Sequence, residues 1–256
     1  MRTYRDICYT QTGHPSQVLD LYLPEQESFP VFVYFHGGGL ENGDKLGSAG
    51  VPQFIQALVA QGVAVASANY RMYPEAVFPE YLRDAACAVA WVRRNIGDYG
   101  TCTGLYVGGS SAGGYITQML CFDKKYLAPH FIDADNIDGY VMDAGQPTAH
   151  FNILREKGID SRRVVVDETA PLYHVCENPN YAPMLILVSD DDMPSRYEQT
   201  MLLFSTLKDM NGPSEKFSLR VIENSTHCSY LSKDTPVENN LFARLISSFI
   251  REHPAK

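Results

Sequence analysis

The 256-residue sequence has no apolar run long enough to cross a bilayer, no clustered basic stripe and no closely spaced cysteine pair. A membrane-spanning helix needs about 20 consecutive apolar residues, so no membrane partner is expected. Nucleic acid is expected to be no partner either. Phosphate binding relies on clustered Lys and Arg, whereas 21 basic residues face 30 acidic ones for a net charge of -9. Lys124-Lys125 and Arg162-Arg163 are isolated pairs that read as solvated surface. The six cysteines (Cys8, Cys87, Cys102, Cys121, Cys176, Cys228) follow no CxxC or zinc-ligand spacing. They read as free thiols of a reducing cytosol, with no metal and no cofactor implied. The start, Met1 to Asp6, carries no apolar leader, so a cytoplasmic location is expected. No internal repeat, low-complexity run or linker interrupts the chain, which predicts one domain over residues 1–256. Oligomeric state leaves no mark.

What is present is an alternation of short apolar runs and longer amphipathic segments. Val31–Phe35, Val63–Ala68, Leu105–Val107, Gly139–Met142, Met184–Val188 and Phe217–Ile222 read as strands. Phe54–Gln61, a stretch opened by Pro79, Ala112–Leu120, Arg196–Met210 and Pro236–Arg251 read as helices. In the second of these Leu82, Ala85, Ala86, Val89, Val92 and Ile96 share one face. Such alternation predicts an α/β fold, a mostly parallel sheet of about eight strands with helices on both faces. Cys8–Thr10 and Val18–Tyr22, around the turn-rich Gly13-His14-Pro15-Ser16, predict an N-terminal antiparallel hairpin. The mixed stretch from about Asp123 to Pro183 predicts a small cap-like excursion over the strand ends.

Gly109-Ser110-Ser111-Ala112-Gly113 matches G-x-S-x-G at the end of an expected strand and the start of an expected helix. That is where a nucleophile elbow belongs: small flanking residues, Gly109 and Gly113, permit the strained turn that lifts a serine oxygen clear of the backbone. Ser111 is therefore the candidate nucleophile. The competing reading is a glycine-rich turn with exposed serines. Earlier, His36-Gly37-Gly38-Gly39 follows another expected strand. A tetrahedral oxyanion needs preorganised donors, and the N–H groups of Gly38, Gly39 and Ala112 are the expected ones. His36 is expected to hold the loop through its ring rather than to act on substrate.

With such an elbow the chain order is serine, acid, histidine. His227 lies in a polar loop straight after the expected strand Phe217–Ile222, whereas His253 sits in a tail and His130, His150 and His174 precede the acid region. His227 is the candidate base. The acid lies in Ser189-Asp190-Asp191-Asp192, and spacing alone does not choose among the three aspartates. Calcium is not implied, because its loops need alternating ligands and a distal glutamate.

Taken together, His36-Gly37-Gly38-Gly39, Asn69-Tyr70-Arg71-Met72-Tyr73-Pro74-Glu75, Phe78-Pro79, Asp84, Trp91 and Gly109-Ser110-Ser111-Ala112-Gly113-Gly114 resemble the α/β-hydrolase esterases related to hormone-sensitive lipase and carboxylesterases. The likeness runs from about Val31 to Leu120 and resumes at the acid and histidine. The family's G-x-x-D after the penultimate core strand maps onto Ser189 to Asp192, which puts Asp192 ahead of its neighbours. Ser110 stands where the family often has an aspartate. The short stretch before His36 resembles the compact bacterial esterases, including feruloyl- and acetyl-esterase-like enzymes, and the arylformamidases.

The resemblance and the residues imply a serine esterase acting on a small or moderate-sized ester through an acyl-enzyme. Tyr73, Tyr115, His150 and Phe151 are candidate substrate contacts. An arylformamidase or a peptidase would use the same groups. A non-catalytic ligand-binding relative typically lacks one of them, and here each has a candidate.

Overall fold

Eight strands among the described residues pair into one sheet in the order β1-β2-β4-β3-β5-β6-β7-β8: β1 (Arg2–Cys8), β2 (Val18–Leu23), β3 (Ser28–Phe35), β4 (Ala64–Ala68), β5 (Thr101–Ser110), β6 (Gly139–Asp143), β7 (Met184–Asp191) and β8 (Phe217–Thr226). The structure is a computed structural model that describes residues 1–47, 51–231 and 237–255. β2 runs antiparallel to β1 and β4, and every other pairing is parallel. Six α-helices among the described residues connect or cover the strands: α1 (Gln53–Ala60), α2 (Glu80–Asn95), α3 (Ala112–Phe122), α4 (Phe151–Glu156), α5 (Arg196–Asn211) and α6 (Leu241–Glu252).

Period-two alternation divides the core. Along β3, Val31, Val33 and Phe35 join one buried cluster, while Phe32 and Tyr34 join the other. In β5, Leu105 and Val107 oppose Tyr106 in the same way. A sheet that is apolar on both faces needs cover on both. Leu82, Ala85 and Val89 of α2, Ile116 and Met119 of α3, and Leu203 and Leu207 of α5 cover the first face. Phe54, Ile55 and Leu58 of α1, with Phe242, Ile246 and Phe249 of α6, cover the second. Each fully buried side chain of this size contributes about 1.5–3 kcal/mol. The helix face expected after Pro79 is the buried one, and α3 is buried along its whole length.

Most element boundaries lie within four residues of the sequence expectation, and two differ by more. The first arm of the hairpin is Arg2–Cys8 rather than Cys8–Thr10. Residues Arg2 to Asp6 are exposed and polar, so this edge strand is held by its ladder with β2 and shows no apolar period. The last helix begins at Leu241, where the Asn240 side chain accepts the Ala243 N–H at 3.0 Å. Such a cap is worth about 1 kcal/mol. Pro236 lies outside the described residues.

The topology locates the site. From β3 the chain moves to β4 on one side, and from β5 it moves to β6 on the other. Open α/β sheets bind ligands at such a switch point, beyond the carboxyl ends of the strands. Here those ends carry His36-Gly37-Gly38-Gly39 and Ser111. Among the described residues, no helix is long and apolar enough to cross a membrane, and no group of three or more His, Cys, Asp or Glu could hold a metal.

Candidate active site

Ser111 sits between the last residue of β5 and the first of α3, with φ 57° and ψ -114°. A non-glycine residue held there costs on the order of 1–3 kcal/mol, so the surroundings must over-determine it. They do so through close packing: a Cβ on Gly113 would lie 1.9 Å from the Phe35 carbonyl oxygen, and one on Gly109 2.5 Å from Gly113. The Ser111 N–H donates to the Asp143 carbonyl at 2.8 Å, and the Ser111 carbonyl accepts from the Tyr115 N–H at 2.9 Å. The turn is fixed from both ends.

His227 follows β8 and turns its ring back over the elbow. Its Nε2 lies 2.8 Å from Ser111 Oγ and its Nδ1 lies 2.5 Å from Asp192 Oδ1. The Asp192 side chain is buried, and the N–H groups of Ser189 and Met193 donate to it at 3.2 and 2.7 Å. Burial would raise its pKa, but the bond and charge of His227 and the two backbone donors outweigh that, holding it below its ordinary value. Asp190 and Asp191 are exposed. Asp190 accepts the Asn224 and Ser225 N–H groups at 2.7 and 3.0 Å, tying β8 to β7. Of the three aspartates, Asp192 is the one that meets His227.

The glycine loop lies on the nucleophile: a Cβ on Gly37 would meet Ser111 Cβ at 3.1 Å. Gly38 has φ 117°, and its carbonyl accepts the N–H groups of Glu41 and Asn42 at 3.2 and 2.9 Å. A Cβ there would fall 1.8 Å from the Asn42 oxygen, so only glycine fits this turn. His36 braces the loop from beneath. Its Nδ1–H donates to the Gly37 carbonyl at 2.7 Å, and its ring stacks on Tyr70 at 4.6 Å. The Tyr70 hydroxyl donates to the His36 carbonyl at 2.9 Å. Burial lowers the His36 pKa and keeps the ring neutral. Asn69 accepts the Lys45 N–H and donates to Asp44, fixing the loop's far end. Gly39 follows this turn, and Ala112 opens α3, where first-turn N–H groups have no intrahelical acceptor.

The four expected substrate contacts separate into two pairs. Phe151 comes to the site: its ring edge lies 3.1 Å from where a Gly39 Cβ would stand. Arg155 stacks over that ring and pairs with Glu41 at 2.6 Å, strapping α4 to the glycine loop. Tyr73 is 39% exposed, and its N–H donates to the Leu40 carbonyl at 2.9 Å, beside Gly39. Tyr115 is fully buried and donates its hydroxyl to the Thr169 carbonyl at 2.7 Å. His150 is buried as the N-cap of α4, its Nδ1 accepting the Asn152 N–H at 3.2 Å. These two pack behind the site.

The motifs do not mark Asp143, the last residue of β6. Its buried carboxylate accepts the Tyr230 hydroxyl and approaches Cys228 Sγ at 3.9 Å. Burial is the largest influence on it and pushes its pKa up to about 6. The only sign in the sequence is a lone aspartate closing the strand-like run Gly139–Met142.

Comparison with known proteins agrees with this architecture. The family model described as the prolyl oligopeptidase family matches residues 80–253, and the BD-FAE model matches residues 19–136. Esterase LipI of Mycobacterium tuberculosis is 37% identical over 98 residues, covering 38% of this chain and 30% of its own. Esterase LipC of the same organism is 29% identical over 220 residues, covering 76% of this chain and 53% of its own. The chain thus spans between about a third and a half of the length of these two relatives. Among solved structures, a truncated carbohydrate esterase from gut microbiota superposes with a TM-score of 0.77 at 19% identity, covering 99% of this chain and 96% of its own. Esterase B from Lactobacillus rhamnosis gives 0.76 at 16%, covering 98% and 85%. The fold is the expected α/β-hydrolase fold.

Proposed function

The chain belongs to the prolyl oligopeptidase family, whose model matches residues 80–253, and on that premise we propose that it hydrolyses small carboxylic esters through an acyl-enzyme on Ser111. The observation that carries this reading is the unbroken relay from Asp192 through His227 to Ser111 Oγ, beneath a glycine loop. Ser111 Oγ attacks the ester carbonyl while His227 Nε2 takes its proton. Asp192 accepts the Nδ1–H, fixes the tautomer and stabilises the imidazolium. The N–H groups of Gly38, Gly39 and Ala112 receive the oxyanion. His227 returns the proton to the leaving alkoxide, and water then cleaves the acyl-enzyme by the same route reversed.

Ester rather than amide is supported by the names of the relatives, LipI and LipC, both esterases. A small acyl group is supported by Phe151 standing against Gly39. Residues 1–256 act as one unit in this reading, with the stretch between about 123 and 183 crossing the mouth as a small cap. Six unpaired cysteines support a cytoplasmic setting.

A second reading is amide cleavage, as a peptidase or arylformamidase, and the match to a peptidase family favours it. Turnover of p-nitrophenyl acetate and butyrate, compared with alanine p-nitroanilide and N-formyl aniline, separates the two. The ester reading expects kcat/KM for the esters to exceed that for the amides by at least about a hundredfold. Preference for either amide overturns it.

A further inference from the structure

The buried group that the reaction steps above leave unused is Asp143. An ionised carboxylate away from water is costly unless its lone pairs are taken up, and what takes them up is informative. The Tyr230 hydroxyl donates to one oxygen and the Cys228 thiol approaches the other at 3.9 Å. Cys228 is the residue after His227, and Tyr230 lies two further on. This turn is tight: Cys228 has φ 55°, the Leu231 N–H donates to the Cys228 carbonyl at 3.2 Å, and the Thr226 N–H donates to Ser229 Oγ at 3.2 Å. The turn that carries His227 is therefore folded onto Asp143. From its other side, the Asp143 carbonyl accepts the Ser111 N–H at 2.8 Å, and Gly114 packs so close that a Cβ would fall 2.4 Å from that oxygen. One residue touches both the elbow and the histidine turn.

We propose that Asp143 is a positioning residue that fixes the His227 turn against Ser111 through Tyr230. This proposal rests on the acyl-enzyme reading above. The groups that face the Asp143 carboxylate are Tyr230, Cys228 and His227 from the histidine turn, Asp192 from just past β7, Tyr34 from β3 and Ser110 from β5. Among them Tyr230 is the hydrogen-bond donor that ties the carboxylate to the histidine turn. Asp192 alone does not hold the turn, because its contact is with the ring rather than with the backbone that carries it.

Three variants test the link. Tyr230→Phe and Asp143→Ala each cut it, whereas Asp143→Asn keeps an acceptor for Tyr230. Ester kinetics and the NMR resonances of the His227 ring, which report its placement, are the readouts, with thermal melts to establish folding. Tyr230→Phe is expected to lose about ten- to a hundredfold in kcat with KM changed less than about threefold, as for a misplaced catalytic group, and to shift and broaden the His227 ring resonances. Asp143→Asn is expected to recover about tenfold or more of the kcat lost in Asp143→Ala. Asp190→Asn, which removes a carboxylate that faces Asn224 and Ser225 instead, leaves the His227 resonances in place. Tyr230→Phe with wild-type kcat and unmoved His227 resonances overturns the proposal, as does a folded Asp143→Asn no more active than Asp143→Ala. If the Asp143 variants do not fold, Tyr230→Phe decides alone. A wild type inert toward every ester sinks the esterase reading instead, and the His227 resonances still report on the link.

Discussion

His227 Nδ1 lies 2.5 Å from Asp192 Oδ1, just past β7, while Asp190, two residues earlier within that strand, accepts the Asn224 and Ser225 N–H groups. Neighbouring carboxylates thus have unlike duties. Asp192→Asn should lower kcat by about 10⁴-fold, the cost of presenting the wrong tautomer to the nucleophile. Asp190→Asn should leave kcat within about threefold and lower the melting temperature modestly, because it weakens the tie between β7 and β8. Steady-state kinetics and thermal melts on the pair check both.

The elbow tolerates no side chain at Gly113, where a Cβ would fall 1.9 Å from the Phe35 carbonyl. Backbone on both sides leaves nothing flexible to yield. Gly113→Ala should lose more than about 4 kcal/mol of stability or fail to accumulate as soluble protein. Gly97→Ala, where a Cβ meets nothing within 4 Å, should be neutral or stabilising by about 0.5 kcal/mol. Urea denaturation of the two variants measures the contrast.

Phe151 against Gly39, clamped by Arg155 and Glu41, restricts the space beside the glycine loop. Phe151→Ala should raise kcat/KM for hexanoyl relative to acetyl esters by about tenfold, the scale of a pocket gaining room for apolar carbons. A p-nitrophenyl ester series of increasing acyl length reads this directly. An unchanged chain-length profile removes Phe151 from the specificity argument.

Asp143 sets a pH dependence whose sign follows from burial. Its folded pKa is raised from 3.8 to about 6, so the folded state binds a proton more tightly than the unfolded one. Its contribution to stability is then favourable below about pH 4 and is lost as pH rises through 6. At pH 7.5 the buried charge costs the wild type ~3 kcal/mol. Asp143→Asn should therefore melt above the wild type at pH 7.5, and the difference should shrink as pH falls to 5. The comparison is made between the two proteins because His36 and His150, buried and neutral, act with the opposite sign in both. Their pKa values are lowered by burial, so each loses stability as pH falls below about 6.5.

Much of this was legible in the chain itself. Apolar runs such as Val31–Phe35 mark strands buried on both faces, and the G-x-S-x-G and His-Gly-Gly-Gly segments fall at strand ends because a crowded turn accepts only small residues. Three features were not legible, each because its cause is tertiary. β1 is an exposed edge held by its ladder, so Arg2–Asp6 show no apolar period. Tyr115 sits one turn past the nucleophile, but α3 is buried all round, which turns its hydroxyl to Thr169. Asp143 belongs to no motif, and its partner Tyr230 lies 87 residues further along the chain.

The central claim is that Ser111 is the atom that takes the acyl group. Incubation with a fluorophosphonate probe, digestion and mass spectrometry of the labelled peptide test it most directly. One adduct per chain on Ser111, absent from Ser111→Ala and strongly slowed in His227→Ala, is the predicted result. An adduct on another residue, or undiminished ester turnover by Ser111→Ala, contradicts the account.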